Sequence, residues 1–243
     1  MPLEQSEALI LRTFAVGEQD KIVILFSQDK GIIKGVAKGA RKFGNRFGSS
    51  LEPMSHVKIF YYEKEGHELV VINNCDLLES FFDLQHELDT SFTISYFAEL
   101  IEEFSPAMAR EDILFRLLLS VLKALEAGGD LEFLGAYFET WILKISGFLP
   151  DLQRCRKCRK EIKNGGWLSA KKDGVYCSDC SLYKKEKVAP GLSVFVQWIK
   201  KNPPTERKLT AGAEQIAPIR LTLQSIIVYH MEREPKSLRY LKR

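Results

Sequence analysis

Between residues 6 and 73, apolar side chains come in short runs broken by turn residues. Ser6–Phe14, Lys21–Ser27 and Gly31–Ala37 are rich in Ile, Leu, Val and Phe; His56–Tyr62 alternates; Glu68–Asn73 follows the turn Glu65-Gly66-His67. Gly17-Glu18-Gln19-Asp20 and Gln28-Asp29-Lys30-Gly31 separate the first three runs. Five strands at this spacing, with few helix signals, predict a small all-β barrel, for which an OB-fold and an SH3-like barrel fit the pattern about equally.

From Cys75 to Glu79 the period changes. Phe92, Tyr96, Phe97, Leu100, Ile101 and Phe104 recur at helical spacing up to Ser105-Pro106. Ile113 through Ala127, stopped by Gly128-Gly129, and Leu131 through Ser146, stopped by Gly147, predict two further helices. Short breaks between three helices imply an antiparallel bundle whose aromatic stripe fills its centre. Residues 151–188 have little apolar periodicity. Helical pattern resumes over Leu192–Lys200 and again over Glu214–Met231, interrupted early by Pro218, before a basic tail to Arg243.

The overall charge of +3 says little, but its distribution is informative. Residues 1–75 carry 10 Lys/Arg against 9 Asp/Glu, residues 76–150 carry 4 against 14, and residues 151–243 carry 21 against 9. A polyanion is repelled by the middle block and drawn to the C-terminal third and to any local basic loop near the start. The longest apolar stretches are far shorter than the roughly 20 residues that a bilayer span needs. No basic segment with an apolar core follows Met1, so the expected location is the cytoplasm.

Four of the five cysteines form two Cys-x-x-Cys pairs, Cys155/Cys158 and Cys177/Cys180, with 18 residues between them. In a reducing compartment this spacing reads as one tetrahedral metal site, and zinc is the expected ion. A rubredoxin-like iron site usually has Gly or Pro beside the thiolates, where Arg159 and Ser181 stand here. A saturated four-thiolate ion has no open position, so the expected role is structural. Cys75, after an apolar run, reads as a small buried hydrophobe.

The segment 34–48 holds Lys34, Lys38, Arg41, Lys42 and Arg46, no acid, and two rings, Phe43 and Phe47. Basic loops with interleaved aromatics on a barrel grip single strands, with phosphates on Lys/Arg and bases stacked on rings. A merely solvated loop with Phe43 or Phe47 tucked into the barrel would use the same residues, and the sequence leaves both readings open. Neither a Walker phosphate loop nor a dinucleotide fingerprint is present. The motifs of serine hydrolases and zinc peptidases are absent too, and His56, His67, His86 and His230 are scattered, which disfavours an enzyme.

Lys38-Gly39-Ala40-Arg41-Lys42 with Arg46-Phe47-Gly48-Ser49-Ser50-Leu51-Glu52-Pro53 resembles the bacterial RecO family, in which a G-A-R run leads into R-F-x-x-x-L-x-P. Glu7–Arg12 with Gly17–Ile22, and Tyr229-His230-Met231-Glu232 with Lys236-Ser237-Leu238-Arg239, are similar to the family's opening and ending. The resemblance implies an α+β multidomain protein. Its expected parts are a DNA-binding OB-fold barrel over 1–80, a helical bundle over 81–150, a four-cysteine zinc module over 151–188, and C-terminal helices over 189–243 packed on the bundle.

The same resemblance implies a non-catalytic recombination mediator. Such a protein binds and anneals single- and double-stranded DNA and works with RecR. It helps to load RecA onto DNA coated by single-strand-binding protein, whose acidic C-terminal tail it also binds. The expected location is then the nucleoid. The DNA-contacting role falls on Lys34, Lys38, Arg41, Lys42 and Arg46. The acidic tail is expected on a basic, apolar patch of the C-terminal third. The competing reading is a zinc-ribbon adaptor that binds only proteins, which leaves the basic loop without a purpose.

Overall fold

Alternation along the first eighty residues produces five strands, β1 Leu3–Val16, β2 Asp20–Ser27, β3 Gly31–Ala37, β4 His56–Tyr62 and β5 Val70–Glu79. In the computed structural model, which describes residues 2–63, 66–105, 109–163, 165–206 and 216–241, they close into a barrel of order β1-β2-β3-β5-β4, with β1 also paired to β4. Glu65, Pro106, the helix start at Glu214 and the tail end at Lys242–Arg243 lie outside the described residues. Two compact units divide the chain, residues 1–122 with 240–243, and residues 123–239.

The barrel closes where β3 meets β5 in parallel, through only two residue pairs, Gly35↔Val70 and Val36↔Val71. This order and the parallel closure are those of an OB-fold, which resolves the choice against an SH3-like barrel. Gly35 permits the approach: a Cβ there would lie 2.8 Å from Ile72 Cγ1 and 3.0 Å from Val70 Cγ2. The inward positions of β3, Ile33 and Ala37, join Ile10, Leu25, Ile59 and Ile72 in one core. β5 extends to Glu79, beyond the strand expected to end at Asn73, because His56 through Tyr62 pair along its length with two register shifts.

In the first unit α1 (Leu88–Phe104) and the first part of α2 (Asp112–Glu126) follow the barrel. Arg12 of β1 reaches Glu102 of α1 at 2.7 Å. On α2, Phe115 covers the outward ring of Phe26 at 5.9 Å and sits edge-on to His56 at 5.8 Å. The short α6 (Leu238–Leu241) returns Tyr240 to stack on Phe92 at 4.9 Å.

The second unit begins at the end of α2, where Gly128 at φ 76 and the Gly129 N–H donating to Ala124 O terminate the helix. Asp130 caps α3 (Leu131–Ile145) by accepting from Phe133 N at 2.7 Å. α3 packs on α5 (Ile216–Met231) around a buried ion pair. Arg220 donates to Glu139 through Nη2 at 3.0 Å and Nε at 3.3 Å and to Glu132 at 2.8 Å, and Gln224 adds a third donor to Glu139 at 3.0 Å. Glu139 is wholly inaccessible to solvent. Gly135 makes room for the guanidinium, whose Cζ lies 2.6 Å from where a Cβ would stand. Pro218 does not interrupt α5, which runs unbroken through it over the described residues Ile216–Met231. α4 (Leu192–Ile199) starts after Gly191 at φ 85.

Two stability experiments follow. Gly35→Ala should destabilise the barrel by about 1–3 kcal/mol through overpacking; an unchanged denaturation midpoint would show that closure tolerates a methyl group there. Arg220→Met should cost about 3–5 kcal/mol by leaving the buried Glu139 carboxylate without its counter-charge, whereas Arg220→Met with Glu139→Met should cost much less. Equal losses in the two proteins would refute the ion-pair account.

Candidate metal centre and nucleic-acid interface

The basic segment leaves β3 at Ala37 and returns to the barrel as β4 at His56. Its apolar members turn inward. Phe47, Leu51 and Met54 are buried, and the Met54 and Ile10 main chains bond the loop's end to β1. Asn45 Oδ1 accepts from Phe47 N at 3.0 Å and Gly48 N at 3.2 Å, which fixes the turn between the two rings. At its start Gly39 N donates to Asp20 Oδ1 at 2.7 Å and Arg41 N to Gln19 O at 2.9 Å, so the loop is held against the β1–β2 turn.

Lys34, Lys38, Arg41, Lys42 and Arg46 are all exposed, and none forms an ion pair among the described residues. Arg41 is oriented by its own bond to Gly17 O at 3.0 Å, and Arg46 lies over the Phe47 ring at 4.8 Å. Phe43 is completely exposed, while Phe47 is 3% exposed and belongs to the barrel core. The two readings left open by the sequence thus divide between the two rings. Lys34 differs from the other four cations: it stands on β3, opposite Ile24, within the electrostatic reach of Glu102 on α1. Burial raises the pKa of Glu102, and Arg12 and Lys34 oppose that rise.

The sequence reading missed Phe14. It pairs with Ile22, which pairs with Val36, so all three share the outward face near the basic loop. Phe14 is half-exposed. Its signal was present as alternation, but a bulge between Ile10 and Arg12 shifts which residues point out.

In the second unit the four paired cysteines come together. Their sulfurs lie within 4.8 Å of one another, and this cluster could hold a metal ion. Cys158 Sγ and Cys177 Sγ are 3.8 Å apart. A tetrahedron with metal–sulfur bonds of about 2.3 Å has edges of about 3.8 Å. The donor set therefore fits one four-coordinate ion.

Local structure places the thiols. A two-residue ribbon, β6 (Trp167–Leu168) with β7 (Val175–Tyr176), brings the second pair beside the first through the bridge Cys155↔Val175. Gly166 allows the ribbon to close, since a Cβ there would lie 2.5 Å from Val175 Cγ1. The first knuckle turns at Arg159, which adopts φ 62 and donates its N–H to Cys155 O at 2.9 Å. These short strands were not expected, because two-residue pairings carry no readable period.

Burial would raise the Cys155 thiol, but N–H groups of Cys158, Cys177 and Lys157 directed at its sulfur bring it down to about 6. Cys180 is pushed up to about 12, first because its thiol donates to Cys177 and Cys158 and then because of burial. Ion binding by the cluster would be coupled to release of thiol protons. Cys75 is buried in the barrel core, as expected of a small hydrophobe, and desolvation pushes its thiol up to about 11. No helix among the described residues is long and apolar enough to cross a membrane.

Two family profiles match the chain, described as "Recombination protein O N terminal" over residues 1–81 and "Recombination protein O C terminal" over residues 85–239. A "DNA repair protein RecO" of Koribacter versatilis is 38% identical over 73% of this chain and 72% of its own length. That of Pelotomaculum thermopropionicum is 32% identical over 100% and 95%, and that of Dehalococcoides mccartyi (strain ATCC BAA-2266 / KCTC 15142 / 195) is 28% identical over 98% and 94%.

The cluster makes a direct prediction. The purified chain should carry about one metal ion, Cys158→Ser with Cys180→Ser should carry none, and the barrel should unfold unchanged. Elemental analysis with thiol titration decides it, and four freely titrating thiols in the native chain would refute the metal centre.

Proposed function

The chain belongs to the RecO family of DNA repair proteins, and on that premise we propose that it is a recombination mediator that acts on DNA without catalysing bond changes. In this reading it binds single and double strands, anneals complements, and helps to load RecA onto DNA coated by single-strand-binding protein. Its protein partners are RecR and the acidic tail of the coating protein, and its place is the nucleoid. The division into a DNA-binding barrel over 1–80, a bundle over 81–150, a metal module over 151–188 and C-terminal helices over 189–243 is part of the proposal.

The observation that carries it is the wholly exposed Phe43 among exposed Lys38, Arg41, Lys42 and Arg46, on a loop tied down at both ends. An exposed ring costs hydration free energy unless something flat covers it, and neighbouring cations select an anionic partner. Lys34 extends the positive surface onto β3. Annealing requires no chemistry: cations lower the repulsion between strands, and rings hold bases unpaired until a complement arrives.

Cys155, Cys158, Cys177 and Cys180 are proposed as ligands of a structural Zn2+. Four thiolates saturate a tetrahedral ion and leave no site for an activated water, so the ion would supply folding free energy rather than hydrolysis.

The test is annealing of complementary oligonucleotides precoated with single-strand-binding protein. The native chain should accelerate it, and Arg41→Ala with Lys42→Ala should weaken DNA binding alike for all sequences. Each lost contact to a single strand should flatten the salt dependence by about 0.7 units of slope. Phe43→Ser should weaken single-strand binding more than double-strand binding. Cleavage of the strands with Mg2+ would favour an enzyme, and absence of DNA binding would favour the protein-only adaptor.

A further inference from the structure

The second unit contains a groove that the proposed DNA contact does not use. It has a volume of about 630 Å3 and lies beside the cysteine cluster, with Cys180 in its wall. Leu168, which is buried, the half-buried Tyr176 and the exposed Ala170, Leu182 and Tyr183 give it an apolar lining. Leu182 is 84% exposed and Tyr183 81%, an unusual display for two adjacent large apolar side chains.

The rim is cationic. Lys157, Lys184 and Lys185 line the groove, are exposed, and pair with no carboxylate among the described residues. Its one acidic wall residue, Glu186, is already taken up by Lys172 and by the hydroxyl of Ser225. The groove thus presents one open ring, a second half-buried ring and three unengaged cations, the chemistry of the Phe43 loop in another unit of the chain. Single-stranded nucleic acid matches both parts, since its bases stack on rings and its phosphates meet lysines. An acidic peptide matches the lysines, but leaves the outward Tyr183 face uncovered.

We propose that this groove is a second contact for single-stranded nucleic acid, with Tyr183 and Tyr176 as stacking rings and Lys157, Lys184 and Lys185 on the phosphates. The inference rests on the DNA-binding reading above and extends it. One chain that engages strand at two surfaces can hold two strands, or two parts of one, while complements are sampled.

The experiment is photocrosslinking of the whole chain to an oligothymidylate carrying a photoreactive thymidine, mapped by mass spectrometry. Crosslinks should appear at Phe43 and at Tyr183. Arg41→Ala/Lys42→Ala/Phe43→Ser should retain only the Tyr183 crosslink, and Tyr183→Ser/Lys184→Glu/Lys185→Glu only the Phe43 crosslink. The groove variant should keep the native chain's metal content and melting temperature, since its side chains are exposed. Loss of two phosphate contacts should flatten the single-strand salt slope by about 1.4 units. Lys200→Glu/Lys201→Glu, an equal charge reversal at the end of α4, should leave the Tyr183 crosslink in place.

Crosslinks at Phe43 alone would overturn the groove proposal and leave the mediator reading standing. Crosslinks at neither ring would overturn both. Protection of the groove by an aspartate-rich peptide, with strand binding unchanged in the groove variant, would make it a peptide site and overturn the proposal.

Discussion

Closure of the barrel at Gly35 is the constraint on which the first unit and its basic loop depend. Five short strands leave two edges open unless the sheet meets itself, and here it does so through two residue pairs between β3 and β5. The missing side chain at Gly35 lets Ile72 and Val70 fill the closing seam. Closure also fixes the two strand ends, Ala37 and His56, between which the basic loop is strung. Phe47 and Leu51 then seal the core, and their insertion is what directs Phe43 and its cationic neighbours outward. Packing and display are one arrangement read from its two sides.

The second unit is organised differently. Between α3 and α5 the centre is polar: a guanidinium, two carboxylates and an amide satisfy one another in a volume vacated by Gly135. Such a pair contributes little net stability, since desolvation offsets the attraction, but it penalises any register that separates the partners. The cysteine module has only a two-residue ribbon and a few buried side chains, among them Ile162, Leu168 and Val175. A core of that size supplies little free energy, and cross-linking by four thiolates around one ion would make up the difference.

Charge connects these parts to function. The acidic block falls on the helical middle, where Glu102 is engaged by Arg12, while basic residues concentrate on the barrel loop and the C-terminal third. A polyanion would be repelled by the acidic block and drawn toward the basic surfaces, which also carry exposed rings. At the loop and at the groove, cations and rings occur together, the combination on which both proposed contacts rest.

The sequence by itself determined the elements with a readable period and the chemistry with a fixed spacing. The five barrel strands apart from the far half of β5, helices bounded by Gly128-Gly129 and Gly147, and the two Cys-x-x-Cys pairs were legible because alternation, capping and ligand spacing are local properties. The family was legible in the run from Lys38 to Pro53. Only the tertiary structure decided which barrel forms, since β3–β5 pairing joins residues 35 positions apart through a glycine that has no side chain to advertise it. It decided likewise which phenylalanine faces solvent, that Arg220 meets Glu139 across 81 residues, and that Tyr183 and Lys157 line one groove. Each is a long-range contact or an orientation, set by which partner fills a volume, and local sequence pattern carries no record of that choice.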